Sequence, residues 1–222
     1  MSWSGQFYPD RVEIYKNGSM FVNYELLPNN CCEKCSAPLI LGVCSNCEDL
    51  NQFRRLYAMG IYHAGYRDGD LSRHILSLKH DRSFAEPLSL ALSLVIKNKY
   101  PELLKVDCLI PIPIHDDKLE EKGFNQSYQL SYELSKNIHI RTIDCMEQIK
   151  NYSQHNSDRA TRFQNVSNSF IINPKIIQFL KNKYILLIDD IMTSGATINE
   201  CAKILKENGV KEVDGLVAGR TG

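Results

Sequence analysis

Residues 184–197, Tyr-Ile-Leu-Leu-Ile-Asp-Asp-Ile-Met-Thr-Ser-Gly-Ala-Thr, constrain the fold more than any other stretch of this chain. An apolar run of strand length delivers two adjacent carboxylates, Asp189 and Asp190. A run with no polar alternation belongs to a sheet buried on both faces, as parallel sheets are. A loop of Thr193, Ser194 and Gly195 follows, and Ala196 opens a helical pattern lasting to Asn208, with Gly209 as its C-terminal cap. Ligands of open α/β sheets bind beyond the carboxyl ends of the strands. Backbone N–H groups, hydroxyls and the positive end of the helix make this loop a phosphate cradle, and Gly195 lets the backbone approach closely. The carboxylates cannot also bind phosphate, so they face something neutral or cationic, such as sugar hydroxyls or a metal ion.

The rest of the chain fits the same architecture. Asp70 or Ser72 caps a helix with apolar positions 71, 75 and 78. Ser83 caps a second helix to about Lys99, with Leu88, Leu92, Val95 and Ile96 on its apolar face and Pro87 in its first turn. Strands are expected at residues 106–110, 145–149, 170–172 and 213–218. A helix over residues 124–136 is capped near Asn125, with Tyr128 in the core, and Ser157 caps a short helix over residues 158–165. Alternating strands and helices give an α/β domain with a mainly parallel sheet over residues 51–222. Residues 1–30 read as a lead-in segment with a hairpin turn at Asn17-Gly18.

Between them, residues 31–50 form a cysteine module. Cys32-x-x-Cys35 and Cys44-x-x-Cys47 are two chelating pairs separated by eight residues. Two such knuckles close a tetrahedral four-thiolate site, which zinc prefers. A closed site of that kind stabilises rather than catalyses. Cys31 is an alternative to Cys32, and spacing favours Cys32. Cys108, Cys145 and Cys201 read as buried core thiols.

Composition narrows the function classes. At 43% apolar residues the chain builds a core, which excludes a disordered tail or a collagen-like fibre. Zero formal net charge supplies no bulk field for nucleic acid or membranes. No run approaches the roughly 18 apolar residues of a membrane span, and the first residues lack a secretory signal. A cytoplasmic location is therefore expected, where eight cysteines serve as thiols or metal ligands rather than disulfides. Neither Gly-x-x-x-x-Gly-Lys nor Gly-x-Gly-x-x-Gly occurs, so by motif the chain is neither a P-loop ATPase nor a dinucleotide enzyme.

Residues 185–197 resemble the phosphoribosyl-pyrophosphate (PRPP) motif of type I phosphoribosyltransferases: four apolar residues, two acids, two apolar residues, then Thr-x-Gly-x-Thr. That resemblance implies that Asp189 and Asp190 meet the ribose hydroxyls at the catalytic centre. Thr193, Ser194, Gly195, Ala196 and Thr197 would hold the 5′-phosphate, and Mg2+ would arrive with the pyrophosphate.

The order of features is more specific. It runs from the double cysteine knuckle to Tyr66-Arg67-Asp68-Gly69-Asp70-Leu71, Leu78-Lys79, Pro111-Ile-Pro113, Lys122-Gly123-Phe124-Asn125-Gln126, Gln154, Arg162, Asn165 and the final motif. It resembles the ComF family of bacterial competence, of the ComFC type, over about residues 31–221. The resemblance implies that Lys79 and His80 meet the pyrophosphate and that residues 123–126 lie at a loop over the site. It also implies a role in natural transformation, handling incoming single-stranded DNA beside a helicase partner. Where that family carries Arg-x-Arg before Gly-Phe-Asn-Gln, this chain has Leu119-Glu120-Glu121-Lys122, which implies weak DNA contact there. Two other functions fit the same residues. One is an active phosphoribosyltransferase of nucleobase salvage; the other is a non-enzymatic, zinc-stabilised adaptor with a sensing or vestigial PRPP site.

Overall fold

The computed structural model describes residues 2–45, 47–63, 69–150 and 159–221. Tyr66, Arg67, Asp68, Gln154, Ser157 and Asp158 of the sequence argument lie outside them. The chain opens with an antiparallel sheet of β1 (Trp3–Phe7), β2 (Arg11–Lys16) and β3 (Ser19–Glu25). Asn17 and Gly18 join β2 to β3 with φ of 51° and 82°, the double positive φ of a twist-matched two-residue hairpin turn. After the cysteine segment come β4 (Leu56–Tyr62), α1 (Asp70–Leu78), α2 (Ala85–Lys99), β5 (Cys108–Pro111), α3 (Asp116–Lys122) and α4 (Gln126–Ile138). Then follow β6 (Met146–Gln148), α5 (Arg159–Val166), β7 (Phe170–Ile172), α6 (Pro174–Leu180), β8 (Tyr184–Met192), α7 (Ala196–Glu207) and β9 (Glu212–Thr221).

The main sheet has the order β4-β9-β8-β5, and every pairing is parallel. Strand periodicity divides its apolar residues between two faces. Leu186 and Ile188 of β8 join the core beneath α1, α2 and α4, while Ile185 and Leu187 join the core on the α7 side. This is why the run reads as continuously apolar: each alternate residue has its own core.

The first 25 residues are part of this packing. Val12, Ile14, Val22 and Tyr24 are buried in the same core as Leu88, Leu92 and Ile96 of α2. A helix that is apolar on most sides must be enclosed, and α2 is covered by the small sheet and by α4. Cys108, Cys145 and Cys201 are buried free thiols, as expected.

Three local expectations are corrected. No side chain caps α1. Asp70 instead accepts from the Asn23 N–H (3.1 Å) and pairs with Arg73, and Ser72 Oγ accepts from the His63 N–H (3.1 Å). Ser83 does not cap α2; Asp81 accepts from the Ser83 N–H (2.9 Å) and starts a single turn, Arg82–Phe84, that leads into the helix. Tyr128 is not core. On α4 the residues Ser127, Leu130, Ser131 and Leu134 face inward, so Tyr128 lies outside, 37% exposed and stacked on Tyr132 one turn on.

His74 on α1 sits among Phe21, Tyr24 and Phe84, its Nδ1 2.6 Å from the Tyr24 hydroxyl. Burial, then the charge of Arg73, pushes its pKa down to about 4. The folded chain thus binds this proton less readily than the unfolded chain, whose His titrates near 6.5. Stability conferred by neutral His74 is complete above about pH 6.5 and is lost as pH falls toward 4. Denaturant titrations at stepped pH should show that slope, and His74→Gln should flatten it.

Candidate functional site

The site begins where β8 outruns its neighbour. β5 stays paired with β8 only to Pro111 opposite Ile188, while β9 stays paired as far as Arg220 opposite Met192. The next two residues on β8 are Asp189 and Asp190, left beside the gap that β5 vacates. The N-terminus of α4 fills part of that gap. Asn125 caps it by accepting from the N–H groups of Ser127 and Tyr128, and Ser127 Oγ donates to Asp189 Oδ1 at 2.7 Å. Asp189 Oδ1 also accepts from the Asp190 N–H (2.9 Å), and Asp190 Oδ1 from the Ile191 N–H (2.7 Å).

Burial and the neighbouring Asp190 charge push the Asp189 carboxyl well above the ordinary range, and the Ser127 hydroxyl opposes them. Burial raises Asp190 too, opposed chiefly by the positive charge of Lys79 and also by that of Lys122. Lys79 follows the last turn of α1, and Lys122 ends α3. Two helix ends therefore direct cations at the acid pair. His80 is the exposed residue beyond Lys79, and no contact among the described residues ties its ring to the pair.

The loop after β8 has the geometry of a cradle. Thr193 is exposed, while Ser194, Gly195 and Ala196 are buried. Gly195 stands at the N-terminus of α7 with φ of 80°, and Ser194 Oγ accepts from the Ala196 N–H at 3.4 Å. A Cβ on Gly195 would lie 2.9 Å from both Leu50 Cδ2 and Met192 Cε. Gly195→Ala therefore combines backbone strain with a clash, about 1–3 kcal/mol, and a melting curve should fall by at least about 2 °C.

Leu50 belongs to the end of the cysteine segment, where Cys32, Cys35, Cys44 and Cys47 bring their sulfurs within 4.8 Å of one another. Neighbouring sulfurs are 3.3 Å (Cys32–Cys47), 3.4 Å (Cys44–Cys47) and 3.6 Å (Cys35–Cys44) apart. A tetrahedral zinc with bonds of about 2.3 Å has sulfur edges of about 3.8 Å, so the four thiols fit such an ion with minor expansion. Burial raises Cys32, but N–H groups of Cys35 and Lys34 and the Cys47 and Cys44 thiols outweigh it and bring it down to about 7. One thiolate is thus present near neutrality to begin metal capture. Cys31 lies outside the cluster and bridges to Pro38. The module is also tied to the cradle: Leu50 packs at Gly195, and the Gln52 N–H donates to Asn199 Oδ1 on α7 (3.0 Å).

The structure thus gathers Asp189, Asp190, the loop from Thr193 to Thr197 and the charge of Lys79, and separately the four cysteines. Sequence reasoning missed Ser127 and Leu50, and it read Lys122 as part of a run without foreseeing its place at the acid pair. Lys122 and Ser127 flank the Gly-Phe-Asn-Gln run, whose helix start brings them to the acid pair; Leu50 carried no signal beyond being apolar.

The phosphoribosyl transferase domain family matches residues 119–218, the part of the chain that holds α4, the acid pair and the cradle. Competence protein F of Haemophilus influenzae is 32% identical over 136 residues, covering 60% of this chain and 58% of that protein. DNA utilization protein YhgH of Escherichia coli is 26% identical over 144 residues, covering 63% and 62%. The chain thus spans less than two thirds of the length of these two relatives. Competence protein ComFC of Bacillus subtilis is 27% identical over 222 residues, covering 94% of this chain and 85% of that protein. Among the described residues no helix is long and apolar enough to cross a membrane. The domain match lies over the acid pair and its loop, and the Bacillus subtilis relative spans nearly the whole chain; the chain is thus similar to ComF-type competence proteins, with a phosphoribosyltransferase-type fold and an N-terminal four-cysteine cluster.

Proposed function

We propose that the chain binds PRPP with Mg2+ at the carboxyl edge of the main sheet and acts in natural transformation, in the cytoplasm, on incoming single-stranded DNA. One observation carries the binding part: two half-buried carboxylates on β8 stand directly ahead of a left-handed Gly195 that opens α7. In this reading Asp189 and Asp190 accept hydrogen bonds from the ribose hydroxyls. Thr193, Ser194, Gly195, Ala196 and Thr197 enclose the 5′-phosphate. Lys79, with His80 beside it, meets the pyrophosphate, and Mg2+ neutralises that group. Zinc at Cys32, Cys35, Cys44 and Cys47 is structural.

The competence role rests on the named relatives. A chain with zero formal net charge holds single strands weakly and with strong salt dependence, which suits a protein that works beside a helicase. The reading commits to binding; a bond-making step is a separate matter, decided by pyrophosphate exchange in the presence of nucleobases. Calorimetry of the chain with PRPP and Mg2+ tests the reading, and absence of binding removes it. Failure to retain an oligonucleotide at low salt removes the DNA part alone.

A further inference from the structure

The opposite, amino edge of the main sheet holds a second concave site. Its cavity of about 420 Å³ is lined by Glu33, Lys34, Arg54, Arg55, Tyr57 and Glu102. Arg54 and Arg55 immediately precede β4, and Tyr184 and Asp214 lie at the starts of β8 and β9. From Tyr184 to Asp189 is about 17 Å of strand, so this cavity is separate from the acid pair and its cradle.

The charges at this edge are unevenly matched. Asp214 is fully buried and saturated: it accepts from Arg54 Nε (3.1 Å), the Arg55 N–H (3.0 Å), the Tyr184 hydroxyl and Arg54 Nη2. Arg54 is thereby neutralised. Arg55 is not. Its guanidinium lies 4.6 Å from the Tyr57 ring centre and 5.5 Å from that of Tyr100. Its Nε is buried without a hydrogen-bond partner, and among the described residues no carboxylate pairs with it. Lys34 gives one of its donors to the Phe53 carbonyl, leaving others for the cavity. A buried guanidinium N–H with no acceptor is costly, and the stacking on tyrosine fixes the plane in which an acceptor must arrive. In the same lining Glu102 accepts from the Tyr57 hydroxyl (3.1 Å), and Glu33 is exposed. Two carboxylates and two unmatched cations in one lining suit a ligand that joins an anionic group to hydrogen-bond donors.

We propose that this amino-edge cavity is a second ligand site, which takes the phosphate monoester of a small sugar phosphate or nucleotide. Arg55 and Lys34 hold the phosphate, and Glu102 and Glu33 accept from the hydroxyl or amino groups of the remainder. Nothing in this assignment depends on PRPP binding at the other edge.

The test is an amide chemical-shift titration of the full chain with inorganic phosphate and, in a second arm, adenosine monophosphate. The expected result is saturable shifts at residues 54–57, with binding at least tenfold weaker in Arg55→Ala and any shifts at residues 193–197 unaltered by that change. If Arg55→Ala fails to fold, Arg55→Gln and Lys34→Met carry the same expectation. Binding of both probes supports recognition of the phosphate itself; binding of the nucleotide alone supports a nucleotide as its source. Shifts confined to residues 193–197, or shifts at 54–57 that survive these substitutions, overturn the proposal.

Discussion

Chelating the metal from the four-cysteine cluster is expected to lower the melting temperature of the whole chain by about 8–16 °C. A ligand present at a thousandfold its dissociation constant adds about 4 kcal/mol to the folded state, and at this chain length each kcal/mol moves the midpoint by about 2–4 °C. The loss should reach beyond residues 31–50. The segment that carries the knuckles places Leu50 in the core beside Gly195 and Met192, and Gln52 on Asn199. Without the ion, four sulfurs within 4.8 Å of one another must stay protonated or repel, and the chain through Leu50 loses its anchor. The PRPP affinity of apo protein should fall with its stability, because one wall of the cradle comes from this segment. A scan with and without chelator, with elemental analysis of the same sample, checks this. Zinc-free protein that melts at the same temperature would sink the structural-metal reading.

The acid pair gives the second large effect, and it has two opposite signs. Replacing both carboxylates, Asp189→Asn with Asp190→Asn, should weaken PRPP binding at least 100-fold. Charge-assisted hydrogen bonds are worth about 1.5–3 kcal/mol each, and tenfold in affinity is about 1.4 kcal/mol. The same variant should melt higher than the wild type when no ligand is present. Both carboxyls are raised above their unfolded values, Asp189 by burial and by its neighbour, Asp190 by burial. The folded chain therefore holds their protons more tightly than the unfolded chain, and the pair costs stability as pH rises through that raised range. Asparagines remove that cost, and a gain of even 1 kcal/mol is about 2–4 °C. In the wild type, PRPP affinity should strengthen as pH rises through the same range, because ionised carboxylates are the better acceptors. Calorimetry and melting curves on the two proteins across pH separate the two signs.

The parallel sheet was legible in the sequence because an apolar strand without alternation has few other uses. The acid pair, the cradle and the four cysteines were legible because each is a short run whose spacing carries its chemistry. What stayed hidden depended on partners distant in sequence. β3 alternates correctly at Val22 and Tyr24, but its cover comes from α1, whose His74 meets Tyr24 across 50 residues of sequence. Ser72 and Asp70 looked like caps because they are capping residue types; long-range partners at His63 and Asn23 claimed them instead. Tyr128 looked like core because an aromatic near a helix start usually is, yet the phase set by Leu130 and Leu134 turns it outward.

The position of β9 bears on how the chain comes to fold. It follows every other strand in sequence, yet lies between β4 and β8 in the sheet. A chain made from its N-terminus can assemble the small sheet around α2 early, but β4 and β8 each keep a bare hydrogen-bonding edge until residues 212–221 arrive. Bare edges are templates for pairing with other chains. Shortening the chain by its final strand would therefore do more than lose one strand: it would leave two halves of a sheet with no register to share, in a form prone to aggregate.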